Sequence, residues 1–396
     1  LFNDPGIPLL PGIPAGELIG LEAYLPRVEL FGPGAMNLFI ARSGWGPDDT
    51  FVSLRAGHTF THHGHYATGH FTVFKGAPLA VDSARYNGFF SPHRLYYGVR
   101  TVAANSILVV RPGDVIRPHE TFKQNVNDGG QRLVIPTGSR IRDVEHWREQ
   151  LGARGHYEGG ELLEYDESAG SYAYLRVDLT AAYDSVRYDS HGKEGKVSSV
   201  QRELLCLFVE DRILVRDIVT ATDPAYEKKW LLHTVTRPLV DQPRRVLGGE
   251  QAGVFDSDSD AVIVQNGPGR LDIRRILPEA ASLRVTGGEG YEFFVETDAT
   301  NGGRGQSGEN FSEGGEARGW FDNGAWRLEI RPRAPRERDE FLVALSPSLG
   351  DDRSDEVEAL NLVSGEVSGL VTPGCFVVFN NGGRLGEISF ARSGKQ

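Results

Sequence analysis

The sequence predicts an all-β protein, a large antiparallel two-sheet β-sandwich carrying a small C-terminal β unit. Three observations lead there. Glycine and proline number 49 and 21 in 396 residues, with 10% aromatics, a balance that favours strands joined by turns over a helical bundle. Short apolar–polar alternations recur along most of the chain, the signature of half-buried strands. Asp322-Asn323-Gly324 and Asn380-Asn381-Gly382-Gly383 are strong hairpin signals, because these residues adopt positive φ cheaply.

Taken in order, residues 1–36 read as an extended linker leading out of an upstream domain, since Pro5, Pro8, Pro11 and Pro14 prevent a regular helix. NLFIARSGW and TFVSLRAG are strands around a Gly-Pro-Asp-Asp break. HFTVFKG and PLAVDSARY follow, joined at Gly76-Ala77-Pro78, and then NSILVVRPGD. DVEHWREQL (143–151) is the best helix candidate, with Asp143 to cap its start and Gly152 its end. Everything later reads as β: SYAYLRVDLTAAY, then ELLCLFVEDRILVRDIV as two strands around Glu210-Asp211, then AVIVQNGPGRLDIRRIL, YEFFVETD, GWFDNGAWRLEIRP and CFVVFNNGGRLGEISFAR. The sandwich is assigned 37–345, and the polar run SPSLGDDRSDE (346–356) opens the C-terminal unit, 346–396.

Composition excludes several classes. A net charge of −12 argues against a nucleic-acid or anionic-membrane surface, though a local basic cleft could still hold an acidic polysaccharide. No apolar run approaches the roughly 18 residues of a membrane span. Cys206 and Cys375 are too few for a disulfide framework, and Cys206 reads as a buried thiol. Gly303-x-Gly305-x-x-Gly308 lacks the following helix of a dinucleotide site. Asp256-Ser257-Asp258-Ser259-Asp260 has Ala261 and Gly267 where a calcium loop needs its turn and bidentate residues, so it reads as a solvated acidic turn.

One stretch, 57–105, survives this sifting. Six of the eleven histidines fall in it: His58, His62, His63, His65, His70 and His93. Imidazole titrates nearest neutral pH and is the commonest metal ligand. On a strand, His63-x-His65 places both rings on one face about 7 Å apart, and His62 on the other. Asp82 follows His65 by seventeen residues, on a strand that can return alongside. Such a carboxylate and imidazole can share a zinc ion, which needs a further protein ligand. His70, His93 and His119 are candidates, and His65, Asp82 and His93 are the set carried forward. His62, His63 and His65 can also supply an acid or base. Among the tyrosines, Tyr86 and Tyr97 lead as acid or base. Arg85, Arg94 and Arg100 can bind a sugar carboxylate or sulfate bidentately, with His62 and Asn105 beside them. Trp230 reads as core.

These motifs together resemble the β-sandwich part of the heparinase II/III-like polysaccharide lyases. The resemblance rests on Ala41-Arg42-Ser43-Gly44-Trp45, on His63 to Phe71, on Gly76-Ala77-Pro78-Leu79-Ala80-Val81-Asp82-Ser83-Ala84-Arg85-Tyr86, and on Ala103-Ala104-Asn105-Ser106. It covers about 37–240, including NDGGQR (127–132) and KKWLLH (228–233). It implies β-elimination on a uronic-acid polysaccharide, in a secreted or periplasmic protein, with a homo-oligomer left open. His63 would match the sandwich's catalytic histidine, and His65 and Asp82 a structural zinc. The base tyrosine and carboxylate-binding groups would lie on an upstream α/α toroid, supplied as a cleaved segment or a separate chain. The chain departs from the pattern at Ala67, Ala84 and Ala104; the last replaces a histidine that ligates zinc in the family. The alternative expectation is a non-catalytic carbohydrate-binding or structural and assembly module derived from such a lyase.

Overall fold

A computed structural model describes residues 25–58, 64–85, 88, 90–114, 126–131, 142–151, 159–184, 195–296, 307–313, 323–350, 358–359, 367–372 and 374–380. The described residues build the all-β sandwich that the alternation predicts. Its large sheet has eight strands in the order Leu239–Val240, Ala261–Asn266, Gly269–Leu277, Arg338–Leu349, Arg212–Ala221, Val197–Leu207, Tyr172–Asp178 and Glu161–Ser168. A six-stranded sheet runs Arg244–Gly248, Gly253–Ser257, Ala281–Gly287, Trp326–Pro332, Glu227–Thr234 and Ile107–Val110. A five-stranded meander takes Val28–Phe31, Leu38–Arg42, Phe51–Arg55, His70–Lys75 and Ala77–Ala80 in chain order. Every pairing in the three sheets is antiparallel.

The strand period places the core. In Leu38–Arg42 and Phe51–Arg55 alternate residues are buried, so Phe39, Ala41, Val52 and Leu54 face inward. Strands with interior on both sides read as continuous apolar runs instead, as in Leu204, Leu205, Cys206 and Leu207. One apolar cluster takes residues from all three sheets, including Phe71, Leu204, Trp230, Leu328 and Phe341. Trp230 is fully buried, and its indole N–H donates to Asp217.

The sequence reading needs correcting in several places. Val28–Phe31, inside the predicted linker, is a strand paired with Leu38–Arg42. The predicted helix forms as Val144–Gln150, and the Asp143 side chain accepts from the His146 N–H at 2.7 Å, as a cap should. Leu151 closes it; Gly152 lies outside the described residues. Helical turns at Arg94–Gly98, Thr101–Ala103 and Thr180–Tyr183 were not foreseen. Strand Arg338–Leu349 runs through residue 345, so the polymer does not break there. Beyond it, Glu358–Ala359, Val367–Val371 and Phe376–Asn380 make a three-stranded sheet. Leu370, Val377 and Phe379 pack it onto Leu205, Leu214 and Leu342.

The feature that positions the site is a junction. Strands His70–Lys75 and Ala77–Ala80 of the meander lie against Gly269–Leu277 and Arg338–Leu349 of the large sheet. Beyond Ala80 the chain leaves the meander, and Val81 N–H donates to the His233 carbonyl of the six-stranded sheet at 3.1 Å. The meander and the six-stranded sheet therefore meet edge to edge, and residues 81–85 bridge them.

Candidate functional site

The bridge is held along its length by main-chain contacts to distant segments. Gly324 N–H donates to the Asp82 carbonyl at 3.1 Å, and Ser83 N–H to the Ala103 carbonyl at 3.0 Å. Ser83 is fully buried; its hydroxyl meets the Tyr97 hydroxyl at 2.8 Å and donates to the Gly324 carbonyl. A side chain at 324 would crowd His233 and the Asp82 carbonyl, with contacts of 3.0 and 3.3 Å, so glycine there lets the bridge pass. Arg85 N–H donates to His93 Nε2 at 3.1 Å.

Between these anchors the Asp82 side chain is exposed. Its pKa is nevertheless raised to about 6, because surrounding protein displaces water from the carboxylate; the backbone N–H groups of Ser83 and Ala84 oppose the shift. Accessibility and desolvation look contradictory. The side chain reaches water although protein atoms crowd around its carboxylate. A carboxyl in that range changes charge just below neutrality.

The second line of the site is a chain of imidazoles organised by Asn105. Asn105 is fully buried. Its backbone N–H donates to His70 Nδ1 at 2.9 Å and its Nδ2 to the Phe71 carbonyl at 2.8 Å. Its Oδ1 accepts from the His233 backbone N–H at 2.7 Å and lies 3.2 Å from His233 Nδ1. Its carbonyl accepts from Arg202, which also pairs with Asp217. His70 is held neutral: burial, then the charges of Arg202 and His65, lower its pKa to about 3. Because Nδ1 accepts, the proton of neutral His70 sits on Nε2. His233 is also held well below the usual range, chiefly by burial and then by Arg327 and His70. Its Nε2 is buried without a hydrogen-bond partner.

The sequence-predicted residues sort accordingly. His62, His63 and Tyr86 lie outside the described residues. His65 and Asp82 are exposed, and Arg85 and Arg94 half-buried. The remaining four need correcting. Tyr97 is fully buried with its hydroxyl on Ser83, and burial raises its pKa further, so it is not placed to touch a substrate. Arg100 is buried in a bidentate pair with Asp128, at 2.9 and 2.6 Å. Asn105 has every polar group engaged by the fold. His93 is fully buried with both ring nitrogens occupied, Nδ1 at 2.7 Å from the Phe311 carbonyl and Nε2 accepting from Arg85. It has no lone pair to offer a metal.

The zinc set can be tested on the same geometry. His93 is excluded, and the His70 Nδ1 lone pair is committed to Asn105 N–H. Ala104 is buried and has no donor atom in its side chain. Among the described residues no three His, Cys, Asp or Glu side chains converge on a metal-sized point. These donors do not fit a structural zinc. The acidic turn 256–260 is likewise no calcium loop: Asp256 pairs with Arg284, Asp258 with Arg244 and Arg333, and Asp260 with Arg274.

Sequence reasoning missed His233 and Ser83 as members of the site. KKWLLH was visible as a motif, but nothing in it shows that His233 meets Asn105, 128 residues away.

No protein-family model matches the sequence, and no curated protein matches it. Solved structures do share the fold. Heparinase III superposes with a TM-score of 0.53 at 11% identity, over 90% of this chain and 42% of its own. A mutant of a heparan sulfate lyase from Pedobacter heparinus gives 0.50 at 13%, over 93% of this chain and 43% of its own. The chain therefore spans less than half the length of these enzymes. It has a distantly heparinase-like β-sandwich fold.

Proposed function

We propose that this chain is the β-sandwich part of a polysaccharide lyase that cleaves a uronic-acid-containing polysaccharide by β-elimination. The observation that carries the reading is the bridge between the sheets, residues 81–85. There a carboxyl titrating near 6, Asp82, is three residues from a half-buried guanidinium, Arg85, on a fold shared with heparinase III. In this reaction a base takes the proton α to the uronate carboxylate. The electron pair forms the carbon–carbon double bond, and the glycosidic C–O bond breaks. An acid returns a proton to the leaving oxygen.

His63 takes the acid or base role expected of an imidazole near neutrality. Asp82 can hold or release a proton in the same range. Arg94 lies at the start of the buried helical turn 94–98 and is a further contact for an acidic chain. No step is routed through a metal. An upstream α/α toroid supplies the remaining catalytic groups, and the protein works outside the cytoplasm.

The test is incubation of the full-length protein with heparan sulfate, alginate and related polyuronides, following the absorbance of the unsaturated uronide. Absorbance should rise with at least one polymer, and His63→Ala should slow it by about a hundredfold or more. A folded protein that produces no unsaturated product across the panel refutes elimination. Saccharide binding without turnover, unaffected by His63→Ala, would then identify a non-catalytic carbohydrate-binding module.

A further inference from the structure

The buried arginines of this chain are, for the most part, paired within it. Arg100 has Asp128, Arg202 has Asp217, Arg216 has Glu203, and Arg327 has Glu329. Arg85 differs. Its Nε is buried with no hydrogen-bond partner, and its guanidinium makes no hydrogen bond or ion pair with any described residue. Arg176, Arg212 and Arg275 also have an unsatisfied Nε. Arg176 and Arg275 each have another polar contact, to Gln201 and to the Pro278 carbonyl, and Arg212 Nε lies 3.3 Å from a Glu210 carboxylate oxygen as an ion pair.

Burying a guanidinium N–H without an acceptor costs free energy that a fold normally avoids. Here the geometry is nonetheless well supported. The guanidinium carbon lies 4.8 Å from the centroid of the Phe293 ring, and Phe293 is itself buried. His93, edge-on to Phe293 at 4.5 Å between centroids, accepts from the Arg85 backbone N–H. The Arg85 backbone is fixed by His93, and the planar head is covered on one face by Phe293. Neither contact uses an N–H of the head. What remains is a guanidinium supported on one face, three residues from Asp82 along the bridge, with no acceptor among the described residues.

We propose that Arg85 is the anion-reading residue of this site, taking a carboxylate or sulfate group of an acidic saccharide. This rests on the polysaccharide reading above and deepens it. A planar fork matches a carboxylate or sulfate edge with two parallel N–H···O bonds. The ligand supplies the charge that the fold withholds, and the ordering cost of the side chain has been met before binding. The same pairing draws a negative group toward the carboxyl of Asp82, which only an accompanying cation can make tolerable.

Binding of the full-length protein to heparan sulfate, to its carboxyl-reduced form and to its desulfated form tests this, measured calorimetrically at fixed salt. Arg85→Ala should weaken binding of the intact polymer at least tenfold, and Arg85→Lys should restore only part of that, because an ammonium has no fork. The Arg85→Ala penalty should vanish for whichever modified polymer lacks the group that Arg85 reads, which separates carboxylate from sulfate. Arg85→Gln, which keeps a stem over Phe293, provides the same comparison if the alanine variant loses thermal stability. Binding of all three polymers within twofold of wild type by a folded Arg85 variant overturns the proposal, as does a wild type that binds none of them. Arg85-dependent binding without unsaturated product would refute the lyase reading alone. Product formation indifferent to Arg85 would refute the anion reading alone.

Discussion

Asn105→Ala separates a structural hub from a substrate contact. The sequence places Asn105 among groups that touch the polysaccharide; the structure buries it and uses each of its polar atoms. Truncation leaves the Asn105 backbone bond to His70 available but removes the side chain's bonds. The Phe71 carbonyl loses its side-chain donor, and the His233 backbone N–H and Nδ1 lose their acceptor. Buried groups orphaned in this way cost about 1–3 kcal/mol each. The carbonyl tolerates the loss best, so a total of about 3–5 kcal/mol is expected. A chain of this length has an unfolding entropy near 0.8 kcal/mol per kelvin, so the thermal midpoint should fall by about 5 °C. The measurement is a melt by near-ultraviolet circular dichroism with urea unfolding as a check, run beside saccharide binding on the folded variant at low temperature. A midpoint within 1–2 °C of wild type, together with a large loss of binding, would refute the hub and restore the substrate contact.

Two further outcomes follow from the same geometry. His70 has a folded pKa of about 3 against an ordinary 6.5, so its contribution to stability is complete above pH 6.5 and is lost as pH falls towards 3. Asn at position 70 can present an oxygen to the Asn105 N–H and cannot be protonated. His70→Asn should therefore lose about 1–2 kcal/mol less than wild type between pH 7 and pH 5, and superimposable urea-midpoint profiles would refute the assignment. The donor set around Asp82 predicts that purified protein carries no stoichiometric zinc and that EDTA leaves its melting midpoint unchanged. One zinc per chain by elemental analysis, lost with a fall in midpoint, would refute this reading of the donors.

How much of this was legible in the sequence depends on the range over which each feature is decided. Strand alternation is local, and Phe39, Ala41, Val52 and Leu54 fall inward where period two puts them. The Asp143 cap is local too, and it forms. The division of the second layer into a meander and a six-stranded sheet is not local, since it depends on Val81 meeting His233. The site residues divide along the same line. The histidine-rich stretch 57–105 spans the sheet junction, where His70 and Asn105 are hydrogen-bonded and residues 81–85 bridge the sheets. Roles within it are set by partners from far away. His93 is occupied by Phe311, 218 residues on, and Ser83 by Gly324, 241 residues on. A window of sequence shows that a histidine is present, whereas a free lone pair is a property of the whole fold. Arg85 is the converse case: its neighbours 82–93 are in view in the sequence, but that its guanidinium meets no acceptor among the described residues is a property of the fold. A residue type indicates what chemistry is available, and only the tally of its partners shows whether the fold has already used it. By that tally Tyr97, Arg100, His93 and Asn105 are committed to the fold. Arg85, on the bridge between two sheets, has no such partner for its guanidinium among the described residues.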